Sequence, residues 1–257
     1  MNINSTDTKA SARSLMEKHF PRVMLNYRIL RKTGFEKEMA LLPELCDQTK
    51  ISLDIGANIG MFTWHLKQHS RSVIAFEPNP YLSGLLQRTF KDRVPVRQVA
   101  LSNQRGTASL CFPNDEHALG SLGAIEESED SVGTSTALTS YDVETFKLDD
   151  LSLAPVGFMK IDVEGHELEV LEGAQQTLVK HRPNLLVEVE ERHRAGAVHE
   201  VIELLQSWGY AGSFMIDCNI QSVSSFNLDE HQNSLNLDEQ GNRIGTYINN
   251  FIFTPAK

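Results

Sequence analysis

The chain has 257 residues, of which 40% are hydrophobic, and its formal net charge is −10 at pH 7. This length and apolar content provide the core of one large α/β domain or two small ones, and they exclude a disordered chain. The acidic balance argues against a phosphate-binding surface, so we expect no nucleic-acid partner.

Cysteine spacing and targeting signals narrow the class of protein further. The three cysteines, Cys46, Cys111 and Cys218, lie far apart and form no CxxC pair, so they indicate neither a disulfide framework nor a zinc site. The sequence contains no apolar signal segment, and no window approaches the roughly 18 apolar residues of a membrane span. We therefore expect a cytoplasmic protein with reduced cysteines and no membrane span.

The N-terminal part of the chain has helical periodicity. Residues 14–46 carry apolar residues at roughly helical spacing among charges. These apolar positions are Leu15, Phe20, Met24, Leu30, Phe35, Met39 and Leu42. We interpret residues 1–48 as a helical extension and residues 49–257 as the main domain. The basic residues of the extension fit a solvated helix face, and contact with an anionic substrate or membrane is the alternative.

From residue 51, short apolar strands alternate with amphipathic helices. The predicted order is the strand ISLDI, the helix MFTWHLKQ, the strand SVIAFE, the helix YLSGLLQRTF, the strand VPVRQVAL and, after a gap, the strand VGFMKID, the helix ELEVLEGAQQTLVKH, the strand NLLVEVE and the helix VHEVIELLQSWG. This alternation is typical of a parallel sheet with helices on both faces. The segments YAGSFMI and TYINNFIF are predicted to pair antiparallel, because too few helix-periodic residues separate them.

Two segments interrupt this pattern. Residues 113–140 are rich in Gly, Ser and acids, and their length is unusual for a loop, so we consider them a candidate lid or substrate loop. Residues 219–242 contain the related runs SFNLDE and SLNLDE, which lack the spacing of a calcium-binding loop. We interpret this second segment as a solvated insertion.

The stretch LDIGANIGMFT places Asp54, Gly56, Asn58 and Gly60 where the first strand runs into a helix. In an open α/β sheet, ligands bind outside the carboxyl ends of the strands, and glycines there allow a tight turn and close approach of the ligand. Glu77 ends the second strand, near the ~20-residue offset at which an acid hydrogen-bonds ribose hydroxyls. Together these residues indicate an adenosine-containing cofactor, whereas the glycines alone would fit a ligand-free turn.

The spacing discriminates between cofactors. A dinucleotide fingerprint beginning at Gly56 would need glycine at Asn58 and Met61, and no Walker phosphate loop occurs in the chain. An acid before the turn would repel phosphate and suits a ligand with an ammonium group. S-adenosylmethionine has this chemistry.

The motifs LDIGANIGMFT, FEPNP (76–80), VALSN (99–103), MKIDVEGHELEVLEGA (159–174) and LLVEVE (185–190) resemble the FkbM family of S-adenosylmethionine-dependent methyltransferases. The resemblance is co-linear from about residue 34 to NNFIFTP (249–255). It implies a class I methyltransferase fold, an α/β Rossmann-like sheet of seven mostly parallel strands with the last strand antiparallel. It also implies that the cofactor lies along Asp54, Gly56, Asn58 and Gly60, with Glu77 on the ribose, Leu101 and Ser102 near the adenine, and Asn79 in the same pocket.

The run KIDVEGHE supplies the candidate catalytic residues Lys160, Asp162, Glu164 and His166, where a strand ends and a helix begins. An acceptor hydroxyl must lose a proton, and a helix N-terminus favours neutral imidazole, so we predict His166 as the general base. The alternative is that His166 caps the helix or orients Asp162.

Glu188 and Glu190 share one face of the next strand, and with His117 of the long loop they are the candidate substrate-binding residues. Asp162, Glu188 and Glu190 could instead hold Mg²⁺ through their carboxylates. We favour hydrogen bonding to a polyol and no metal.

These observations predict an O-methyltransferase that acts on a hydroxyl of a sugar, glycan or polyketide-like molecule. A cofactor-binding module without catalysis and a metal-assisted O-methyltransferase are the alternatives, and the missing glycines argue against an NAD-dependent oxidoreductase. The identity of the acceptor and the oligomeric state, a homodimer included, stay open.

Overall fold

The computed structural model describes residues 16, 19–32, 35–113, 121–122, 138–238 and 243–256. Strands and helices alternate along much of this part of the chain. The strands are β1 (Ile51–Ile55), β2 (Ser72–Phe76), β3 (Val96–Arg97), β4 (Ala100–Leu101), β5 (Gly106–Pro113), β6 (Ser121–Leu122), β7 (Leu138–Phe146), β8 (Val156–Ile161), β9 (Asn184–Glu188), β10 (Tyr210–Ile216), β11 (Asn219–Ser222) and β12 (Asn250–Pro255). The α-helices are α1 (Pro21–Arg31), α2 (Leu42–Leu45), α3 (Met61–His69), α4 (Pro80–Phe90), α5 (Glu167–Glu172), α6 (Gln175–His181), α7 (Ala197–Ser207) and α8 (Leu228–His231).

The main sheet has the strand order β11-β10-β12-β9-β8-β1-β2-β3. Neighbouring strands from β9 to β3 are parallel, and β12 runs antiparallel to both β9 and β10. The predicted α/β class with an antiparallel last strand is therefore confirmed. The described residues hold eight strands in this sheet rather than the predicted seven, because β11 forms a hairpin with β10. All four residues of β11 are exposed, so this strand has no apolar pattern to reveal it.

A second sheet, β4-β7-β5-β6, was not predicted from the sequence. Its long strands β5 and β7 pair antiparallel over eight residue pairs. The predicted strand VPVRQVAL is split between the two sheets, since β3 pairs with β2 whereas β4 pairs with β7. The two ends of the predicted 113–140 loop belong to β5 and β7. Most of its interior lies outside the described residues, so the predicted lid stays a prediction.

Helices cover both faces of the main sheet, as predicted for a parallel sheet. On one face, α5, α6 and α7 contribute Val170, Leu178 and Val201 to an apolar cluster. On the other face, α1 to α4 pack a second cluster that includes Leu25 and Leu66. All five residues of β1 are buried, as expected for a central strand covered on both faces.

The described part of the N-terminal segment, predicted as a helical extension, packs on the main sheet as several short helical elements. It consists of α1, a 3₁₀ turn at Lys37–Leu41 and the single turn α2. Leu25, Met39 and Leu42 are buried, whereas Phe20 and Leu30, predicted among the packing positions, are 55% and 83% exposed. Among the described residues, no helix has the length and apolar content needed to cross a membrane.

Candidate active site

The turn between β1 and α3 lies against the end of β8. Gly56 has φ +80°, and a Cβ atom there would lie 1.7 Å from the carbonyl oxygen of Asp162. Only glycine combines this backbone conformation with that close approach. The turn therefore joins the motifs LDIGANIG and KIDVEGHE, since the Asp162 N–H also donates to the Ile55 carbonyl at 3.0 Å.

An open cleft of about 640 Å³ lies at the carboxyl ends of β1, β2 and β8, and we call it the strand-end cleft. Its lining residues are Ile55, Gly56, Asn58, Phe76, Glu77, Pro78, Asn79, Leu82, Val99, Ala100, Leu101, Leu110, Asp162, Val163 and Glu164. One part of the wall is apolar and the other carries carboxylates. A flat heterocycle suits the first part and hydroxyl groups suit the second.

Glu77 links two predicted motifs within the strand-end cleft. Its Oε2 accepts the Asn58 N–H at 2.8 Å, and its Oε1 accepts the Asn79 N–H at 2.9 Å. Burial raises the pKa of Glu77 to about 7. A carboxylate has about four lone-pair sites, so each oxygen retains capacity for a ligand hydroxyl. Asn79 also caps α4, because its Oδ1 accepts the Tyr81 N–H at 2.9 Å.

Three predicted cofactor residues do not line the strand-end cleft. Asp54 is only 1% exposed, accepts a hydrogen bond from the Thr63 hydroxyl, and has its pKa raised to about 6 by burial. Gly60 has φ +87° at the start of α3 and packs against Leu86. Ser102 is buried beside His166. Their direct contact with a cofactor stays a prediction.

Lys160 is buried in β8 at the centre of a cluster of acids. Its Nζ lies 3.2 Å from Glu188 and 3.6 Å from Asp162, and it donates to Asn250 Oδ1 at 3.3 Å. Burial alone would lower the pKa of Lys160, but Asp162, Glu188 and Glu36 raise it above its usual value. Lys160 is therefore a permanent cation that holds these carboxylates in place.

Glu164 lies in the turn after β8 and lines the strand-end cleft. Its backbone is left-handed, with φ +53°, a conformation that a residue with a side chain adopts at an energetic cost. Burial, with repulsion from Glu188 and Glu190, raises its pKa to about 7. Its Oε2 lies 3.2 Å from His193 Nε2, so Glu164 has the position and pKa expected of a general base.

His166, the predicted general base, lies elsewhere. Its Nε2 is 3.0 Å from the Ser102 hydroxyl oxygen, and its Nδ1 is 3.5 Å from Glu169. It is absent from the lining of the strand-end cleft. Burial lowers its pKa, which agrees with the predicted neutral imidazole. Its side chain makes no capping hydrogen bond to α5, so the helix-cap alternative is not seen, and the role of His166 as general base stays a prediction.

A second cavity of about 1170 Å³, also open to solvent, lies beyond Glu188. Its lining residues are Phe35, Glu36, Lys37, Glu188, Glu190, Arg192, Leu237, Arg243, Tyr247 and Asn249. Asp162 and Glu188, both bound to Lys160, belong to the strand-end cleft and the second cavity respectively. The two spaces therefore meet at the Lys160 cluster.

The predicted substrate-binding acids differ in how many further hydrogen bonds their carboxylates can accept. Glu190 receives four hydrogen bonds, two from Arg192 and one each from Tyr247 and Asn249. Burial opposes ionisation, but these donors hold the pKa of Glu190 below its usual value. From the described residues, Glu188 receives side-chain hydrogen bonds from Lys160 and Asn249, one on each carboxylate oxygen, so it can still accept a hydroxyl. The third predicted residue, His117, lies outside the described residues.

The alternative metal ligands do not converge in the described part of the chain. No group of three metal-ligating side chains is found there. Asp162 and Glu188 lie against Lys160, and Glu190 lies against Arg192.

Several lining residues were missed from the sequence. Glu36 comes from the N-terminal segment and accepts a hydrogen bond from Asn250 at 2.7 Å. The lining residues Arg243 and Tyr247 come from segments between regular elements, as does His193, which lines neither space but contacts Glu164. The apolar residue Val99 lies within the quoted VALSN motif, which already pointed to the strand-end cleft.

Comparison with known proteins identifies relatives. A family model described as the methyltransferase FkbM domain matches residues 54–211. The chain is 30% identical over 190 residues to 31-O-demethyl-FK506 methyltransferase FkbM of Streptomyces tacrolimicus, covering 62% of this chain and 72% of the relative. It is 29% identical over 156 residues to the hexuronic acid methyltransferase AglP of Haloferax volcanii, covering 59% and 61%.

A solved structure shares the fold. The crystal structure of a methyltransferase FkbM from Methylobacillus flagellatus KT aligns with a TM-score of 0.52 at 16% identity. The alignment covers 86% of this chain but only 45% of the solved one, so this chain spans less than half the length of that protein.

Proposed function

The chain belongs to the FkbM methyltransferase family, and from this premise we propose that it is an S-adenosylmethionine-dependent O-methyltransferase acting on a hydroxyl of a sugar, glycan or polyketide-like molecule. One observation carries the proposal. Glu77, with free lone pairs for a ribose, and Glu164, with a pKa of about 7, line the same cleft. The hexuronic acid relative supports an acceptor of the sugar type.

The residues of the strand-end cleft fit this cofactor. Val99, Leu101 and Leu82 provide an apolar wall suited to an adenine, and Glu77 accepts from ribose hydroxyls. S-adenosylmethionine, when bound, supplies an electrophilic methyl group on a sulfonium. Asp162 lies at the same wall, and its carboxyl can accept hydrogen bonds from the cationic end of the ligand, although burial and Glu188 raise its pKa well above the usual value.

The chain's own residues then have to position the acceptor and remove its proton. We assign Glu164 as the general base that would take the proton of the acceptor hydroxyl, for which bound S-adenosylmethionine would supply the methyl group. His193, at 3.2 Å, positions Glu164. Glu188 accepts a hydrogen bond from an acceptor hydroxyl, and Lys160 fixes both Asp162 and Glu188.

Titration calorimetry with S-adenosylmethionine, S-adenosylhomocysteine and NADH tests the cofactor. We expect micromolar binding of the first two and none of NADH, unchanged by EDTA. Binding of NADH in place of the other two would refute the proposal. Loss of methyl transfer on EDTA treatment would favour the metal-assisted alternative, and cofactor binding without transfer to any sugar or polyketide would favour a binding module.

A further inference from the structure

The second cavity is built largely from chain segments outside the family match. Phe35, Glu36 and Lys37 precede residues 54–211, and Leu237, Arg243, Tyr247 and Asn249 follow them. These flanking segments meet directly, because Glu36 accepts from Asn250 at 2.7 Å. The surface that borders the Lys160 cluster therefore lies largely outside the residues that the family model matches.

The acids of this cavity are already bound to donors. Glu190 accepts four hydrogen bonds, which fills the roughly four lone-pair sites of a carboxylate. Glu188 is bound to Lys160, and Glu36 is bound to Asn250. Arg192 is paired with Glu190. Glu188 and Glu190 thus have cationic partners, whereas Glu36 is bound to a neutral amide.

Lys37 and Arg243 differ from the other cations that line the cavity. Lys37 Nζ donates to the Met215 carbonyl at 2.6 Å, and Arg243 donates to the side-chain oxygen of Asn249. Both acceptors are neutral, and the acid that the two cations share is the buried Glu38, whose pKa both of them lower while burial raises it. An ammonium has three donors and a guanidinium has five, so most donors of both groups remain for a ligand.

We propose that the second cavity binds the methyl acceptor and that Lys37 and Arg243 hold a carboxylate carried by that acceptor. The guanidinium fork matches a carboxylate in shape and charge. A doubly charged phosphate would meet stronger repulsion from Glu36, Glu188 and the buried Glu38. The acceptor is thus a polyhydroxylated molecule with one acidic group. The role of the cavity as an acceptor site rests on the proposed methyltransferase function. Its affinity for a carboxylate does not depend on that function.

The test compares methyl β-D-glucuronide with methyl β-D-glucoside, which differ in the carboxylate. Both are titrated into the full chain by calorimetry, with and without saturating S-adenosylhomocysteine. We expect the glucuronide to bind at least about tenfold more tightly, since a charge-assisted hydrogen bond commonly contributes this much. Arg243→Gln and Lys37→Gln should each weaken the glucuronide about tenfold and leave the glucoside unchanged.

Matched variants make the result specific. Arg71→Gln removes an exposed arginine that is remote from the second cavity and should change neither affinity. Arg243→Lys keeps the charge without the fork and should give an intermediate affinity. Circular dichroism and S-adenosylhomocysteine binding confirm that each variant is folded.

The outcomes separate this inference from the proposed function. Equal affinity for the two sugars, no binding of either, or a glucuronide affinity insensitive to Lys37→Gln and Arg243→Gln would overturn the carboxylate site. If S-adenosylhomocysteine does not bind but the protein still prefers the glucuronide, the cofactor assignment is refuted and the carboxylate site is supported.

Discussion

The strand-end cleft and the second cavity are adjacent but are built by different means. The strand-end cleft is shaped mainly by backbone, with Gly56 pressed against the Asp162 carbonyl and Glu77 bound by two backbone N–H groups. The second cavity is shaped by side chains that hold one another, with Glu190 bound by Arg192, Tyr247 and Asn249. Cofactor affinity and acceptor affinity should therefore respond to different substitutions. The exception is Lys160, which contacts an acid of each space.

Glu164→Gln should have the largest effect and would sharpen the comparison. Loss of a general base commonly costs about 10²- to 10⁴-fold in turnover, whereas cofactor affinity should stay within a few-fold of the wild type. Because the pKa of Glu164 is about 7, wild-type turnover should rise with pH through neutrality. Single-turnover rates measure the turnover, and cofactor titrations measure the affinity. Both are carried out across pH 5.5–8.5, roughly one and a half pH units on either side of that pKa.

His166→Gln is the matched comparison for this experiment. Its ring contacts Ser102 and Glu169 rather than the strand-end cleft, so turnover should remain near that of the wild type. The opposite pattern, with turnover lost in His166→Gln and kept in Glu164→Gln, would return the base assignment to the histidine.

Lys160→Met should damage both spaces at once. It removes the cation that holds Asp162 and Glu188, and breaking a buried ion pair from one side costs about 3–5 kcal/mol. Urea unfolding measures this loss. Lys160→Arg, which retains the charge, should lose less stability. A fully stable Lys160→Met protein would show that the two spaces are not joined through this residue.

The pH dependence of stability tests the strand-end cleft alone. Glu77 has a pKa of about 7 in the folded protein against 4.5 when unperturbed. The unfolded chain therefore loses the Glu77 proton first, and this residue destabilises the fold progressively as pH rises from 4.5 to 7. Glu77→Gln should gain stability relative to the wild type over this window, reaching about 3 kcal/mol near pH 7, since the two pKa values differ by about 2.5 and each pKa unit corresponds to roughly 1.4 kcal/mol. A difference that is constant with pH would contradict the raised pKa.

Gly56→Ala should lower stability and weaken the cofactor site, with a smaller change in cofactor affinity than Glu164→Gln causes in turnover. The added Cβ would lie 1.7 Å from the Asp162 carbonyl oxygen, so the turn must move. We expect about tenfold weaker S-adenosylhomocysteine binding, equivalent to about 1.4 kcal/mol. Sugar affinity at the second cavity should stay unchanged, and Gly84→Ala on α4 serves as the control. A parallel loss of sugar affinity would break the distinction between the two spaces.

Local patterns explain what could be predicted from the sequence. The buried strand β1, the turn at Gly56 and the acid at the end of β2 follow one another closely, and strand ends meet at one edge of a parallel sheet. The direction in which individual side chains point was harder to predict from the sequence. Asp54 turns toward Thr63 on α3, and His166 turns toward Ser102, because packing between elements decides which face a residue takes.

Long-range contacts explain what could not be predicted. Glu36 contacts Asn250, 214 positions away, and no periodicity in either segment specifies that contact. The pairing of β5 with β7 was also not predicted. Polar residues are frequent along these two strands, so the apolar alternation that would indicate a strand is weak.

The hydrogen bond between Glu36 and Asn250 also bears on how the protein is made. A chain emerging from the ribosome folds its earlier segments first. The lining of the strand-end cleft is complete in sequence by residue 164, but the sheet beneath it and the wall of the second cavity both wait for β12. Synthesis itself therefore delays the acceptor site until this last strand has emerged.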